Sequence, residues 1–170
     1  MTKKNVKRTL TAFSDFLQRT GLNYYLVMAD YERDKLQKLL DEIDNKSLFS
    51  RIILAGYIPN DRLPAIYSQS KVFLYPSLRE SFGIPMLEAM SCGVPVLSSN
   101  TESMPEIAGN AACLINPFKP EEITEAMIKL VNDEQLRKTL VRKGFERALD
   151  FSWKITAQRV LGLYREMGAE

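Results

Sequence analysis

Two carboxylates eight positions apart, Glu80 and Glu88, flank a Phe82-Gly83-Ile84-Pro85 step. Pro85 suits the first position of a helix, which sets Glu88 in the first turn and Glu80 in the loop before it. The two acids therefore bracket a helix amino terminus rather than share a helix face. The first N–H groups of a helix have no intrahelical acceptor, and such an end attracts anions, phosphate above all. Gly83 allows a close approach of backbone to ligand. Backbone donors for phosphate beside carboxylates for hydroxyls match the chemistry of a diphosphate carried between two polyhydroxylated rings. Spacing alone also fits a plain capped helix. Glu88 would then stabilise the helix dipole by about 0.3–1 kcal/mol, Arg79 and Glu80 would form a solvated pair, and Phe82, Ile84, Met86 and Leu87 would be core.

The rest of the composition narrows the chemistry. The chain has 170 residues, 45% apolar content and a formal charge of +2, which fits one soluble globular domain over residues 1–170 and argues against nucleic acid as a partner. Lys3, Lys4, Lys7 and Arg8 form a small basic cluster, read from charge alone as a solvated helix face. There is no histidine, so this chain offers no histidine base, no serine–histidine triad and no histidine metal ligand. Cys92 and Cys113 show no metal-ligand spacing and read as buried thiols in a reducing compartment. Apolar runs are too short to span a bilayer, and no secretory segment follows Met1. The cytoplasm is the expected location.

Elements must position the two acids, and their periodicity is legible. Val6, Leu10, Phe13, Phe16 and Leu17 share one face of a helix from about Asn5 to Gln18, stopped by Gly21. A strand follows over Tyr24–Met28, ending at Ala29-Asp30, then an amphipathic helix over Tyr31–Ile43. Ile52–Ala55 is a strand closed by Gly56, and Asp61 is expected to cap a helix through Leu63, Ile66 and Tyr67. Val72–Tyr75 is a strand, the helix from Pro85 stops near Gly93, and Val94–Ser98 is another strand, though Pro95 fits a central ladder poorly. A short helix starts at Pro105, and Ala112–Ile115 is a strand. Beyond Pro120 three helices follow, one through Ile123, Met127 and Leu130, one through Leu136, Leu140, Phe145 and Leu149, and one from Trp153 to Met167 capped by Ser152. Alternating strands and helices predict an α/β fold with a parallel sheet, and near-continuous apolar strands predict helices on both of its faces. The first element is a helix, whereas a doubly wound sheet starts with a strand that lies in its middle. No Gly-x-Gly-x-x-Gly follows any strand, which disfavours a dinucleotide dehydrogenase.

The wording around the acids is more specific than their spacing. The run from Arg79 to Val96 resembles the signature of the retaining glycosyltransferases of family 4, a glutamate, seven residues, a second glutamate, then Ala-x-x-x-Gly-x-Pro-Val. The likeness continues through Ser99–Gly109, Gly56-Tyr57-Ile58-Pro59, Phe151-Ser152-Trp153 and Lys3–Arg8. It implies a Rossmann-like parallel sheet forming the C-terminal half of a GT-B architecture, with its first strand absent. It implies that Glu80 and Lys4 are catalytic, Glu80 near the anomeric centre and Lys4 on the diphosphate. Ser81, Phe82, Gly83 and Ile84 would offer backbone to sugar and diphosphate, Glu88 would hold the ribose, and Tyr57 and Ile58 would cradle the base. Glu106 would support the site loop. Cofactors and metals are not implied; the donor, a nucleotide diphosphate sugar, is a substrate.

The resemblance also marks departures. The family's strand ending in Gly-Arg precedes the lysine, whereas here the chain begins at Met1; the second strand ends in a glycine, where this chain has Ala29-Asp30. By the same likeness the N-terminal acceptor domain is expected to lie outside this chain. The expectation is a half-enzyme that transfers no sugar alone and is completed by an acceptor domain or partner subunit, with peripheral membrane association through that half. A non-catalytic nucleotide-sugar-binding subunit of a split enzyme is the alternative, and an epimerase would want ionisable groups that this chain lacks. The exposed apolar side expected on the last helix, with Trp153, Val160, Leu161 and Tyr164, suits a partner or dimer contact. GDP-mannose and UDP-hexoses are the expected donors, and a glycan or lipid-linked acceptor the expected recipient.

Overall fold

The alternation of apolar side chains along each strand decides the layers. The structure, a computed structural model, describes residues 3–168. Its strands are β1 (Leu26–Ala29), β2 (Ile52–Gly56), β3 (Phe73–Tyr75), β4 (Val96–Ser99) and β5 (Ala112–Ile115). The helices are α1 (Val6–Thr20), α2 (Arg33–Glu42), α3 (Leu63–Gln69), α4 (Ile84–Ser91), α5 (Met104–Ala108), α6 (Pro120–Asn132), α7 (Glu134–Leu149) and α8 (Trp153–Met167). All strand pairs are parallel, as expected of βαβ units.

Successive residues of a strand face opposite sides of its sheet. In β4, Leu97 joins a core with α1, α2 and α6, while Val96 joins a second core with α4 and α5. Every residue of β4 is buried, so helices cover both faces of β3–β4–β5. Leu26 and Met28 of β1 and Ile52 and Leu54 of β2 rest on the first core. Their alternates Val27 and Ile53, paired in register, stay 45% and 47% exposed.

The strands hydrogen-bond as two sheets, β1–β2 and β3–β4–β5, although one apolar core runs beneath both. A doubly wound sheet has its first strand between these groups; among the described residues no strand precedes α1. Asp30 takes the left-handed conformation (φ 49°) after β1, which aspartate tolerates better than most residues because its short side chain bonds locally.

Several boundaries differ from the sequence reading. The helix of the opening stretch starts at Ile84, with Pro85 second, so Glu88 lies in the second turn and adds nothing to the first-turn dipole. Pro95 lies just outside β4 and offers only its carbonyl, to Phe73 N at 3.0 Å, which resolves its poor fit to a central ladder. Arg62, not Asp61, precedes α3, and no side chain caps it. A 3-10 turn over Lys46–Arg51 was not foreseen; the Asn45 side chain accepts from Leu48 N and buries Leu48. Phe145 and Leu149 of α7 are exposed, while Gly144 lets α7 close on Met90 of α4. Ser152 caps α8 as expected, and no residue of α8 is buried.

The start of α1 is fixed by an unusual residue. Asn5 is 4% exposed, takes φ 57°, and donates from Nδ2 to Pro76 O at 3.0 Å and Pro117 O at 2.7 Å. It thereby ties α1 to the loops after β3 and β5. Asn5→Ala leaves two buried carbonyls unpaired and places an alanine in a left-handed conformation, so it should cost about 2–4 kcal/mol. The urea unfolding midpoint measures this loss.

Candidate functional site

The carboxyl ends of β3 and β4 meet the amino terminus of α4, and the chain's start arrives beside them. Leu78 N donates to Lys3 O at 2.8 Å, so the residues on both sides of Lys4 are held by loop backbone. From there the Lys4 side chain crosses the Tyr75 ring, Nζ lying 5.0 Å from its centroid. It donates to Glu80 Oε1 at 2.6 Å and to Tyr75 Oη at 3.3 Å. The sequence reading paired Glu80 with Arg79; the fold pairs it with Lys4 instead, while Arg79 stays exposed.

The electrostatics follow from that geometry. Burial pushes the Glu80 carboxyl up, but bonds from Lys4, Ser77 and Tyr75 outweigh it and hold the group below its ordinary value. Burial likewise disfavours the Lys4 ammonium, and Glu80 and Tyr75 more than restore it, raising Lys4. A carboxyl depressed on folding stabilises the fold above its unfolded value and loses that contribution as pH falls through its folded one. The pair is thus fully charged at neutral pH.

Gly83 makes the corner between this pair and α4. Its φ of 92° favours glycine, and an added Cβ would stand 2.7 Å from Met104 Cε. The N–H of Ile84 opens α4 without a helical acceptor. Behind the loop, Ser103 Oγ donates to Glu80 O at 2.9 Å. Arg147 caps α5 by donating to Ile107 O and Glu106 O. Support of the site loop therefore comes from Ser103; the Glu106 side chain is exposed and makes no bond to the loop among the described residues.

Beyond Gly83 a groove of about 580 Å³ opens between α3, α4 and the start of α8. Its walls include Leu63, Tyr67, Phe82, Ile84, Glu88 and Trp153. Tyr67 Oη donates to Glu88 Oε2 at 3.3 Å, and burial together with the Glu88 charge pushes the phenol well above its ordinary value. Phe82 meets Phe151 edge to face at 5.7 Å. Both Phe82 and Ile84 are more than two-fifths exposed, so neither is core. Ser81 is exposed in the loop between the two stations. Tyr57 is 77% exposed and Ile58 half-buried after β2; nearby, the wall is made by Asn60 and Leu63. Cys92 lines the groove and Cys113 lies in β5, both half-buried rather than fully buried, and burial raises both thiols.

Tyr75, Ser77, Tyr67 and Ser103 were not singled out from sequence. Only the position of Tyr75, last in its strand and just before the loop, could have pointed to one of them. Ser99 and Thr101, at and just after the end of β4, carry buried hydroxyls without a partner among the described residues. Among the described residues no three His, Cys, Asp or Glu converge as a metal site, and no helix is long and apolar enough to cross a membrane.

Comparison with known proteins adds to this geometry. The family model described as glycosyl transferases group 1 matches residues 1–147. The O-antigen chain mannosyltransferase B of Escherichia coli is 31% identical over 163 residues, covering 96% of this chain and 43% of that protein. The chain spans under half the length of such curated relatives. Among solved structures, sucrose-phosphate synthase from Thermosynechococcus elongatus superposes with a TM-score of 0.81 and 26% identity, covering 98% of this chain and 43% of the other. The C-terminal domain of a glycosyl transferase group 1 family protein from Francisella tularensis gives a TM-score of 0.72 at 22% identity, covering 87% and 79%.

Proposed function

The chain belongs to the glycosyl transferases group 1 family, and from that membership we propose that it is the donor-binding, C-terminal half of a retaining GT-B hexosyltransferase of family 4. The observation that carries the proposal is the arrangement around Gly83. The Lys4–Glu80 pair stands on one side of the α4 amino terminus, and Glu88 stands in the groove wall on the other. Such a site offers positive charge and backbone N–H to a diphosphate, and a carboxylate to the rings at either end.

In this reading Glu88 accepts from ribose hydroxyls, with Tyr57 and Ile58 toward the base. Lys4 and the α4 terminus face the diphosphate, and Glu80 faces the sugar beside Ser81–Ile84. The anomeric bond to the diphosphate breaks, and an acceptor hydroxyl takes its place with retention. Lys4 and the helix end stabilise the charge that develops on the leaving diphosphate, the task otherwise given to a cation, so no metal or further cofactor enters the proposal. The donor is GDP-mannose or a UDP-hexose, the mannosyltransferase likeness leaning toward the former. Acceptor groups belong to a separate domain or subunit, and this chain alone transfers nothing. The exposed apolar side chains of α8, among them Trp153, Tyr164 and Met167, fit a docking contact with that half. The same reading sets the protein in the cytoplasm, at the inner face of a membrane when the acceptor is lipid-linked.

A thermal-shift panel of GDP, UDP, ADP and their sugars tests the proposal. At about 100 times its dissociation constant the matching nucleotide should raise the melting temperature by roughly 5–10 °C. Glu88→Ala removes an exposed side chain that accepts from Tyr67, and should cut that shift by about half through a tenfold loss of affinity. No shift with any nucleotide, in either protein, sinks the assignment.

A further inference from the structure

Lys4 is more constrained than a surface lysine. Its neighbours are anchored, Lys3 through its carbonyl to Leu78 N and Asn5 through Nδ2 to Pro76 and Pro117. Its side chain lies across a buried ring. Tyr75 is 7% exposed, stacked on Phe73 at 5.8 Å, and its carbonyl accepts from Ser98 Oγ at 3.2 Å. On that seat the ammonium spends two of its three donors inside the protein, on Tyr75 Oη and Glu80 Oε1. Glu80 is the more enclosed partner, 18% exposed against 58% for Lys4, so Lys4 is the end that an incoming anion can reach.

We propose that Tyr75 is a positioning residue that seats Lys4, and that Glu80 competes with a donor diphosphate for the Lys4 ammonium, so that binding of the diphosphate draws Lys4 away from Glu80. The inference rests on the donor-site reading above and adds an order of events to it. The Lys4–Glu80 pair is self-neutralised, with the charge that will meet the diphosphate held on the carboxylate that will meet the sugar. Arrival of the diphosphate moves Lys4 off Glu80 and frees that carboxylate for the sugar hydroxyls. No bond is made or broken covalently; one ion pair is exchanged for another.

The sign of one substitution separates this from a structural role. Glu80→Gln keeps the shape and removes the competing charge, so nucleoside diphosphate should bind roughly three- to fivefold more tightly, the scale of a partly exposed ion pair. Damage to the fold would only weaken binding. Tyr75→Leu removes ring and hydroxyl and should weaken binding by roughly two- to fivefold, the scale of an exposed cation–π contact. Tyr75→Phe keeps the ring and should restore most of that loss. In a Lys4→Ala background neither change at Tyr75 should alter affinity, since Tyr75 acts through Lys4.

Titration calorimetry with UDP and GDP on these variants, each checked for a native melting transition, is the test. Tighter binding by Glu80→Gln together with a Tyr75 effect that vanishes without Lys4 supports the inference. If Tyr75→Leu does not fold, Glu80→Gln and Tyr75→Phe carry the test alone. Binding by Glu80→Gln no tighter than that of the unaltered protein overturns the inference and leaves the donor site standing, as does a Tyr75 effect that persists without Lys4. Absence of binding by both the unaltered protein and Glu80→Gln overturns the donor-site reading and the inference together.

Discussion

Lys4→Ala lowers the affinity for nucleoside diphosphate by roughly 10- to 100-fold, the range of a charge-assisted hydrogen bond to phosphate. Two effects add. The diphosphate loses its nearest cation, and Glu80 is left as an unbalanced carboxylate at the same spot, where it now repels the ligand. The second effect exists because the two side chains are 2.6 Å apart and Glu80 is largely enclosed. Calorimetry with UDP and GDP measures the loss, and Lys7→Ala is the control. Lys7 is also near the chain's start but pairs with the exposed Glu42 at the end of α2. Its substitution should leave affinity unchanged, so an equal loss in both variants would assign the effect to general charge and not to Lys4.

Phe16→Ala destabilises the fold by about 3–5 kcal/mol, the cost of emptying a buried aromatic site that cannot collapse fully. Phe16 is 2% exposed and lies 6.1 Å from the Phe13 ring and 5.9 Å from Tyr24. It belongs to the core where α1 meets α6 beneath both sheets. Thr124 Oγ1 donates to Ala12 O across the same contact, so α1 has no alternative seat. The urea midpoint should fall with an unchanged slope, the mark of lost stability without a change of unfolding mode. A loss below about 1 kcal/mol would mean that α1 is not held by this core.

Much of this fold could be read along the chain because each element writes its own period. Leu10, Phe13 and Phe16 recur at helical spacing, and they are the buried face of α1. Gly21 ends α1 in the left-handed conformation, Ser152 caps α8, and β5 spans the residues its apolar run marks. The same locality explains the errors. Pro85 looks like a helix start, yet Gly83 turning at φ 92° begins α4 one residue earlier and moves Glu88 out of the first turn. The turn at Lys46–Arg51 has no periodic signal, because six residues are too few to show one.

The candidate site divides along the same line. By itself the sequence determined the Glu80–Gly83 loop, the helix after it that carries Glu88 and the wording that ties both to a family, since all of these lie within one short stretch whose spacing is local. It could nominate Lys4 only by resemblance. That Lys4 meets Glu80 and Tyr75, 76 and 71 residues away, was decided by tertiary structure. So were the brace from Ser103, the bond from Tyr67 to Glu88 and the division of the strands into two sheets over one core. The physical reason is that a carboxylate's charge state and partners depend on what burial removes and which donors the fold brings near. Neither is a property of neighbouring residues in the chain. A pair of glutamates eight positions apart could equally have dressed a helix end; enclosure of Glu80 beside a seated lysine, and the place of Glu88 in a groove wall, mark them as a candidate site.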